Sequence, residues 1–226
     1  MAEFTGRTAI VTGATRGIGR AVSESLLRYD CSVVGIYGSN HEEAERFQDN
    51  WPASQLRLFC CNVADNDQVQ RFYQDLEADF EVLDILINNA GIIRDGLWVG
   101  KSRKTGEIRR MSRQDWDLVI AINLTGAAFM VQEVVAHMID HDEPGVVVNI
   151  SSIARHGNRG QTNYVAAKAA LAANTRTWMK EFAPYGIRVA AVAPGATETS
   201  MTANMNQKAL DMIKASVPLG RMGQPE

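Results

Sequence analysis

Tyr164 and Lys168 stand four residues apart in the run Asn163-Tyr164-Val165-Ala166-Ala167-Lys168-Ala169-Ala170. On a helix this spacing puts the phenol and the ammonium on one face. A free tyrosine has a pKa near ~10 and is a poor acid–base catalyst at neutral pH. A permanent positive charge nearby favours the phenolate and lowers that value. The pair could therefore move a proton to or from an oxygen of a bound molecule. A helix with one buried Tyr and one Lys reaching solvent has the same spacing, so the pair needs companions to mean more.

The first companion is the turn Thr12-Gly13-Ala14-Thr15-Arg16-Gly17-Ile18-Gly19, set between an apolar strand and a helical pattern. Glycines allow a tight turn and a close approach of backbone to phosphate. The helix N-terminus that follows presents free N–H groups to the anion. The spacing differs from the common Gly-x-Gly-x-x-Gly form.

These residues need a scaffold, and strand and helix patterns alternate along the chain. Strands are predicted at Thr8–Thr12, Ser32–Tyr37, Leu56–Cys60, Val82–Asn88, Val146–Ser151 and Arg188–Ala193. Most are continuous apolar runs, as expected of a parallel sheet buried on both faces. Helices are predicted at Ile18–Tyr29, Glu42–Phe47, Asp67–Leu76, Arg113–Ile139, Asn163–Phe182 and Ala203–Lys214. The expectation is an α/β fold: one doubly wound parallel sheet with helices on both faces, in a single domain over residues 1–226. The segment Leu97–Arg110 breaks the pattern and reads as a surface loop or short hairpin. It carries Lys101, Arg103, Lys104, Arg109 and Arg110. The closing Gly223-Gln224-Pro225-Glu226 resembles a helix start with no helix after it, which suggests a missing tail.

Bulk properties narrow the function classes. A net charge of −3 and 46% hydrophobic residues describe an ordinary globular chain and argue against nucleic-acid or anionic-membrane partners. No secretory signal is visible at Met1–Arg7, and the longest uncharged stretch, Leu118–Gln132, is short for a membrane span. Cys31, Cys60 and Cys61 are expected to be reduced and mostly buried, which points to a cytoplasmic protein. No metal site is expected.

With Asn88-Asn89-Ala90-Gly91, Asn123, Asn149-Ile150-Ser151-Ser152 and Pro194-Gly195 added to the glycine turn and the Tyr164/Lys168 pair, the chain resembles the short-chain dehydrogenase/reductase family. Within that family it is most similar to the 3-oxoacyl-ACP reductases, and the resemblance covers nearly the whole chain. It implies a Rossmann-type fold and a homotetramer or dimer. It also implies NADPH-dependent reduction of a 3-oxoacyl thioester carried on ACP or CoA. Tyr164 would be the proton donor and a cofactor contact, its pKa lowered by Lys168 and by the oxidised nicotinamide, and Lys168 would also bind the cofactor ribose. Asn123 would hold a water of the proton relay.

The resemblance leaves two serines open as the group that binds the substrate oxygen. The usual interval back from Tyr164 points to Ser151, and the strand pattern points to Ser152. Strand register is the harder of the two to slip, so Ser152 is the expected one. For the cofactor, the resemblance implies Gly13, Thr15, Arg16, Gly17, Ile18 and Gly19 at the phosphates, and Asn62 and Val63 at the adenine. It puts Asn89, Ala90 and Gly91 on the ribose side, and Pro194, Gly195, Thr197 and Thr199 at the nicotinamide.

Strand two ends in Tyr37-Gly38-Ser39-Asn40 with no acid to repel a 2′-phosphate. With Arg16 in the turn, that favours NADP(H), with Gly38, Ser39 and Asn40 beside the adenosine ribose. Glu143 and Tyr185 stand where relatives place basic residues for the acidic carrier. The five cations of Leu97–Arg110 are a candidate replacement, contacting the carrier's phosphates or acidic helix. Two other readings remain: a reductase for another ketone, such as a sugar, steroid or diketone, and a catalytically silent nucleotide-binding protein.

Overall fold

The computed structural model describes residues 4–77, 82–203, 205 and 207–226. Six strands form one parallel sheet: β1 Thr8–Thr12, β2 Ser32–Tyr37, β3 Leu56–Cys60, β4 Ile85–Asn88, β7 Val146–Ile150 and β8 Arg188–Val192. Their order is β3-β2-β1-β4-β7-β8, and β5 Val99–Lys101 and β6 Ile108–Arg110 pair separately. The order reverses between β1 and β4, and in such sheets ligands bind outside the carboxyl ends of the strands at that point. Thr12-Gly13 and Asn88-Asn89 leave the sheet there, so the topology joins Thr12 to Asn89, 77 residues further along the chain.

The inner strands β1, β2 and β4 are apolar along most of their length because both of their faces are covered. Ala9 and Val11 belong to one core cluster, with Val33, Phe47, Leu56 and Ile87. Ile10, between them, points into the other, with Val34, Leu86, Met130, Val134 and Val147. Helices α1 Gly17–Arg28 and α2 His41–Gln48 contribute Leu27 and Phe47 to the first cluster. Helices α3 Asn66–Glu77 and α5 Ala127–Asp140 contribute Phe72, Leu76, Met130 and Val134 to the second.

Three expected elements differ. The fourth strand begins at Ile85 rather than Val82, because the Asp84 carboxylate accepts the Thr8 amide at 2.7 Å and pairs with Arg7. The long helix is three pieces: α4 Arg113–Ile120, a π-helical segment Ala121–Gly126, and α5. At Gly126 a Cβ would lie 2.5 Å from the Val63 carbonyl oxygen, so the glycine lets the helix close onto the loop after β3. The last expected helix is α7 Ser200–Ala203 and α8 Gln207–Ser216, and residues 204 and 206 lie outside the described residues.

Counting uncharged residues also understated the central helix. As one run, Arg113–Asp140 is long and apolar enough to cross a membrane by length and composition. In the fold Met130, Val131, Val134, Val135 and Met138 are buried against the sheet, the place of a core helix. All three cysteines are free, Cys31 and Cys61 buried and Cys60 exposed at the end of β3.

Candidate active site

The glycine turn is built for an anion. Gly13 and Gly17 have φ of +67° and +52°, values that L side chains adopt at a steric cost. Helix α1 starts at Gly17 with no side chain capping it and no acid in its first turn. Its first N–H groups and positive dipole end therefore face outward, where phosphate oxygens would be held. Thr15 is buried under the turn and Arg16 is exposed on it. Thr199, carried by the segment after β8, covers the other side: its Cγ2 lies 3.2 Å from where a Gly17 Cβ would be.

Asn89 joins the two motifs at the switch point. Its side-chain amide donates to the carbonyls of Thr12 at 2.9 Å and Gly13 at 3.2 Å. The Thr12 hydroxyl accepts the amides of Asn89 and Ala90, both at 2.9 Å. Asn88 runs the other way, donating to Ala127 O and Asn149 Oδ1, and Asn149 donates to the Thr175 hydroxyl. These buried amides lock β4, β7, α5 and α6 Thr162–Phe182 at fixed heights.

At the far end of the groove, Gly38, Ser39 and Asn40 are exposed after β2, with Asn62 exposed beside the buried Val63. Asn40 differs from the expectation in one respect. Its side chain caps α2, with Oδ1 accepting the Glu43 amide at 3.2 Å, so its Oδ1 is already engaged. On the opposite side, the Pro194 carbonyl accepts the Ile153 amide at 3.1 Å, and Gly195 is exposed next to it. Thr197 turns its hydroxyl onto Gly195 O at 3.3 Å.

Tyr164 and Lys168 share a face of α6, with the Lys168 Nζ 5.7 Å from the Tyr164 ring centre. Lys168 is buried, and its Nζ donates to Ile150 O at 2.7 Å. Burial lowers its pKa to about 8, so the ammonium is not the permanent charge that the spacing suggested. The expected drop at Tyr164 is also reversed. Burial raises the phenol's pKa, a hydrogen bond with Ser152 pulls it down, and the Asp95 charge raises it further. At 5.7 Å, with its charge turned to a backbone carbonyl, Lys168 is not among the groups that move it.

The two serines separate clearly. Ser151 is buried and donates to Lys168 O at 2.8 Å, a packing contact with α6. Ser152 is partly exposed, pairs with Tyr164, and accepts the Ala154 amide at 3.1 Å. Asn123 lies fully buried in the π segment, its side chain clamped on Ile92 by two 2.8 Å bonds, Ile92 N to Oδ1 and Nδ2 to Ile92 O. Gly91 fits between: a Cβ there would be 3.1 Å from Asn123 Oδ1 and 3.6 Å from Lys168 Nζ. Asn123, Gly91 and Lys168 therefore meet, and Lys168 is also the neighbour of Tyr164 on α6.

Three residues of this neighbourhood were not singled out by sequence. Gln161 donates to both carboxylate oxygens of Asp95, at 3.0 and 3.1 Å. Asn163 donates to Arg94 O at 3.0 Å and Asp115 O at 3.2 Å, while its Oδ1 accepts the Tyr164 amide. For Gln161 and Asn163 the signal available was position alone, since polar residues immediately before Tyr164 have to be satisfied by something once the helix is buried; Asp95, 66 residues before Gln161, gave none. Among the described residues no group of three or more His, Cys, Asp or Glu is arranged to hold a metal.

Comparison with known proteins bears on the fold and the family. The family model for short chain dehydrogenase matches residues 7–210. Nodulation protein G of Rhizobium sp. (strain N33) is 39% identical over 99% of this chain and 86% of its own length. The 3-oxoacyl-(acyl-carrier-protein) reductase FabG of Thermotoga maritima is 38% identical, over 98% of this chain and 86% of its own. Its namesake from Staphylococcus aureus (strain Mu50) is 36% identical over 96% and 85%.

Proposed function

This chain belongs to the short-chain dehydrogenase family, and on that premise we propose that it reduces a 3-oxoacyl thioester to the 3-hydroxyacyl form with NADPH. As a member of the family it is an oxidoreductase acting on CH–OH/C=O groups with a nicotinamide dinucleotide. The observation that carries the finer reading is the Tyr164 hydroxyl paired with Ser152, on the same helix face as the buried Lys168, which reaches Gly91 after β4.

The residues fit the cofactor. The uncapped start of α1 and the glycine backbone would hold the pyrophosphate, and Gly38, Ser39, Asn62 and Val63 the adenosine end. Gly91 and Lys168 would hold the second ribose, and Pro194, Gly195, Thr197 and Thr199 the nicotinamide side. When bound, the cofactor supplies the hydride. NADPH is favoured over NADH because β2 ends without an acid and Arg16 lies exposed on the glycine turn. A guanidinium on a 2′-phosphate makes a charge-assisted, bidentate contact.

The chain's own groups handle the proton. Ser152 Oγ orients the substrate oxygen and donates to the charge that grows on it. The Tyr164 O–H bond breaks as the proton moves to that oxygen, giving the alcohol. Once the alcohol has formed, the Ser152 hydroxyl is free to turn its one proton to the phenolate left behind. Lys168 has three N–H bonds and spends one on Ile150 O, which leaves two for ribose hydroxyls. Asn123 sets the position of Ile92, and with it the loop after β4. The 3-oxoacyl thioester as substrate class is supported by the names of the two reductases that this chain resembles.

Cofactor oxidation should be followed with acetoacetyl-CoA, a 3-oxoacyl-ACP and simple ketones, each with NADPH and NADH. The expected result is kcat/KM for thioesters well above that for ketones, and at least about ten-fold higher with NADPH, the size of one charged hydrogen bond. Faster turnover of plain ketones, or of NADH, would overturn the corresponding part of the reading.

Asp95 supplies a pH test. In reduction Tyr164 must be protonated, so the rate falls as pH rises through its pKa. The Asp95 carboxylate raises that pKa, and it is ionised in the alkaline range where the phenol titrates. Asp95→Asn removes the charge, so the alkaline limb of kcat/KM should move to lower pH. An unmoved limb would assign it to another group, with Lys168 the first candidate.

A further inference from the structure

The basic segment between β4 and α4 is an ordered ribbon. β5 pairs antiparallel with β6, in the register Val99↔Arg110, Gly100↔Arg109, Lys101↔Ile108. Its turn is closed by Ser102 N to Glu107 O at 2.8 Å and Gly106 N to Ser102 O at 2.9 Å. The single acid, Glu107, accepts the Thr105 hydroxyl at 2.8 Å. Lys101, Arg103, Lys104, Arg109 and Arg110 are all exposed, and none is ion-paired among the described residues. Five cations against one acid make this segment strongly positive on a chain of net charge −3.

The two faces of the ribbon differ. Side chains alternate along a strand, and directly paired residues share a face. Gly100 and Arg109 therefore face one way. Leu97 packs under Gly100 on that side, its Cδ1 2.7 Å from where a Cβ would be. Trp98 meets Trp116 of α4 edge-on at 5.4 Å, and Met111 N donates to Trp98 O. Val99, Lys101, Ile108 and Arg110 face the other way, with Val99 56% and Ile108 52% exposed. The outward face thus alternates two apolar residues with two cations, and the turn adds Arg103 and Lys104.

The root of the ribbon adjoins the site. Gly96 N donates to Gly160 O at 2.8 Å, and α4 is tied to Asn163 through Asp115 O. We propose that this outward face docks the acidic surface of a carrier protein that presents the thioester to Tyr164. The partner class rests on the reading of substrate given above; the surface does not. At about 3.3 Å per residue, the cations from Arg110 to the turn extend on the order of 10–15 Å. That suits carboxylates spaced along a helix, about 5–6 Å apart, better than one pyrophosphate. The apolar pair adds contact area that a phosphate group would leave unused.

The test combines binding and turnover. Unloaded acyl carrier protein is titrated onto the wild type, a variant with all five cations changed to Gln, and a Val99→Ser/Ile108→Ser variant. Wild-type binding should weaken with salt, and the five-Gln variant should bind at least about ten-fold more weakly with little salt dependence. The serine variant should lose affinity and keep the salt dependence. In turnover, the five-Gln variant should show a raised KM for a 3-oxoacyl-ACP with kcat unchanged. KM for a 3-oxoacyl N-acetylcysteamine thioester, which carries no phosphate, should not move.

A matching loss with acetoacetyl-CoA would make the ribbon a phosphate site and overturn protein docking. Equal losses with all substrates, or no carrier binding by the wild type, would also overturn it. Carrier binding without turnover of any thioester would instead overturn the substrate reading and leave the docking surface standing.

Discussion

Tyr164→Phe is expected to lower kcat for thioester reduction by about 10²–10⁴-fold, the usual worth of a positioned general acid. The ring stays in its place on α6, so fold and cofactor binding should survive. The backbone contact that fixes this turn, Tyr164 N to Asn163 Oδ1, does not involve the phenol. Most of the proposed cofactor contacts are on the glycine turn and at Lys168 rather than at the phenol. KM for NADPH should therefore stay within about two-fold, and the melting temperature within a few degrees, the cost of leaving Ser152 without one partner. The alkaline limb of the pH profile should vanish with the hydroxyl. A Tyr164→Phe enzyme that kept normal kcat would leave Ser152 or bound water as the proton source, and the proposed mechanism would fail.

How much of this was legible in the sequence depends on distance along the chain. The strands Thr8–Thr12, Ser32–Tyr37 and Leu56–Cys60 were readable to the residue, because an apolar run ended by turn residues is a local signal. The glycine turn and the Tyr164/Lys168 face were readable for the same reason. Long-range contacts were not. The π segment at Ala121–Gly126 interrupts a pattern that is continuous in sequence, and it exists where Gly126 meets Val63, which lies in a different loop. The start of β4 is decided by the contact of Asp84 with Thr8, on a neighbouring strand.

The same limit explains the site. The spacing of Tyr164 and Lys168 correctly made them neighbours, but it carried no information on burial. Burial reversed the expected shift at Tyr164 and lowered the Lys168 pKa to about 8. Asp95, which moves the Tyr164 pKa, comes from a loop that only the folded chain brings close. Ser151 and Ser152 could be told apart by strand register in principle. In the structure the register sends Ser151 to the Lys168 backbone and Ser152 toward the phenol.

Gly19→Ala should cost the protein both its cofactor site and much of its stability. A Cβ at position 19 would lie 2.1 Å from the Gly13 carbonyl oxygen and 2.4 Å from Asn89 Nδ2. Neither neighbour can yield cheaply. The Gly13 oxygen belongs to the backbone of the turn itself, and Asn89 Nδ2 is held by Thr12 O and Gly13 O. To make room, α1 has to move away from β1, and the clip between the turn and the loop after β4 has to open. Overpacking of this kind costs about 1–3 kcal/mol, and each buried hydrogen bond lost adds about 1 kcal/mol. For a chain of this size a loss of about 2–4 kcal/mol lowers the melting temperature by roughly 4–16 °C. The displaced helix N-terminus no longer faces the phosphates, so Kd for NADPH should rise by at least about ten-fold. Gly38→Ala is the contrasting case. It stands at the other end of the groove with nothing within 4 Å of its Cβ position, so its melting temperature should not change. If Gly19→Ala melted like Gly38→Ala and bound NADPH like the wild type, the close contact of α1 with the glycine turn would not be what shapes the site.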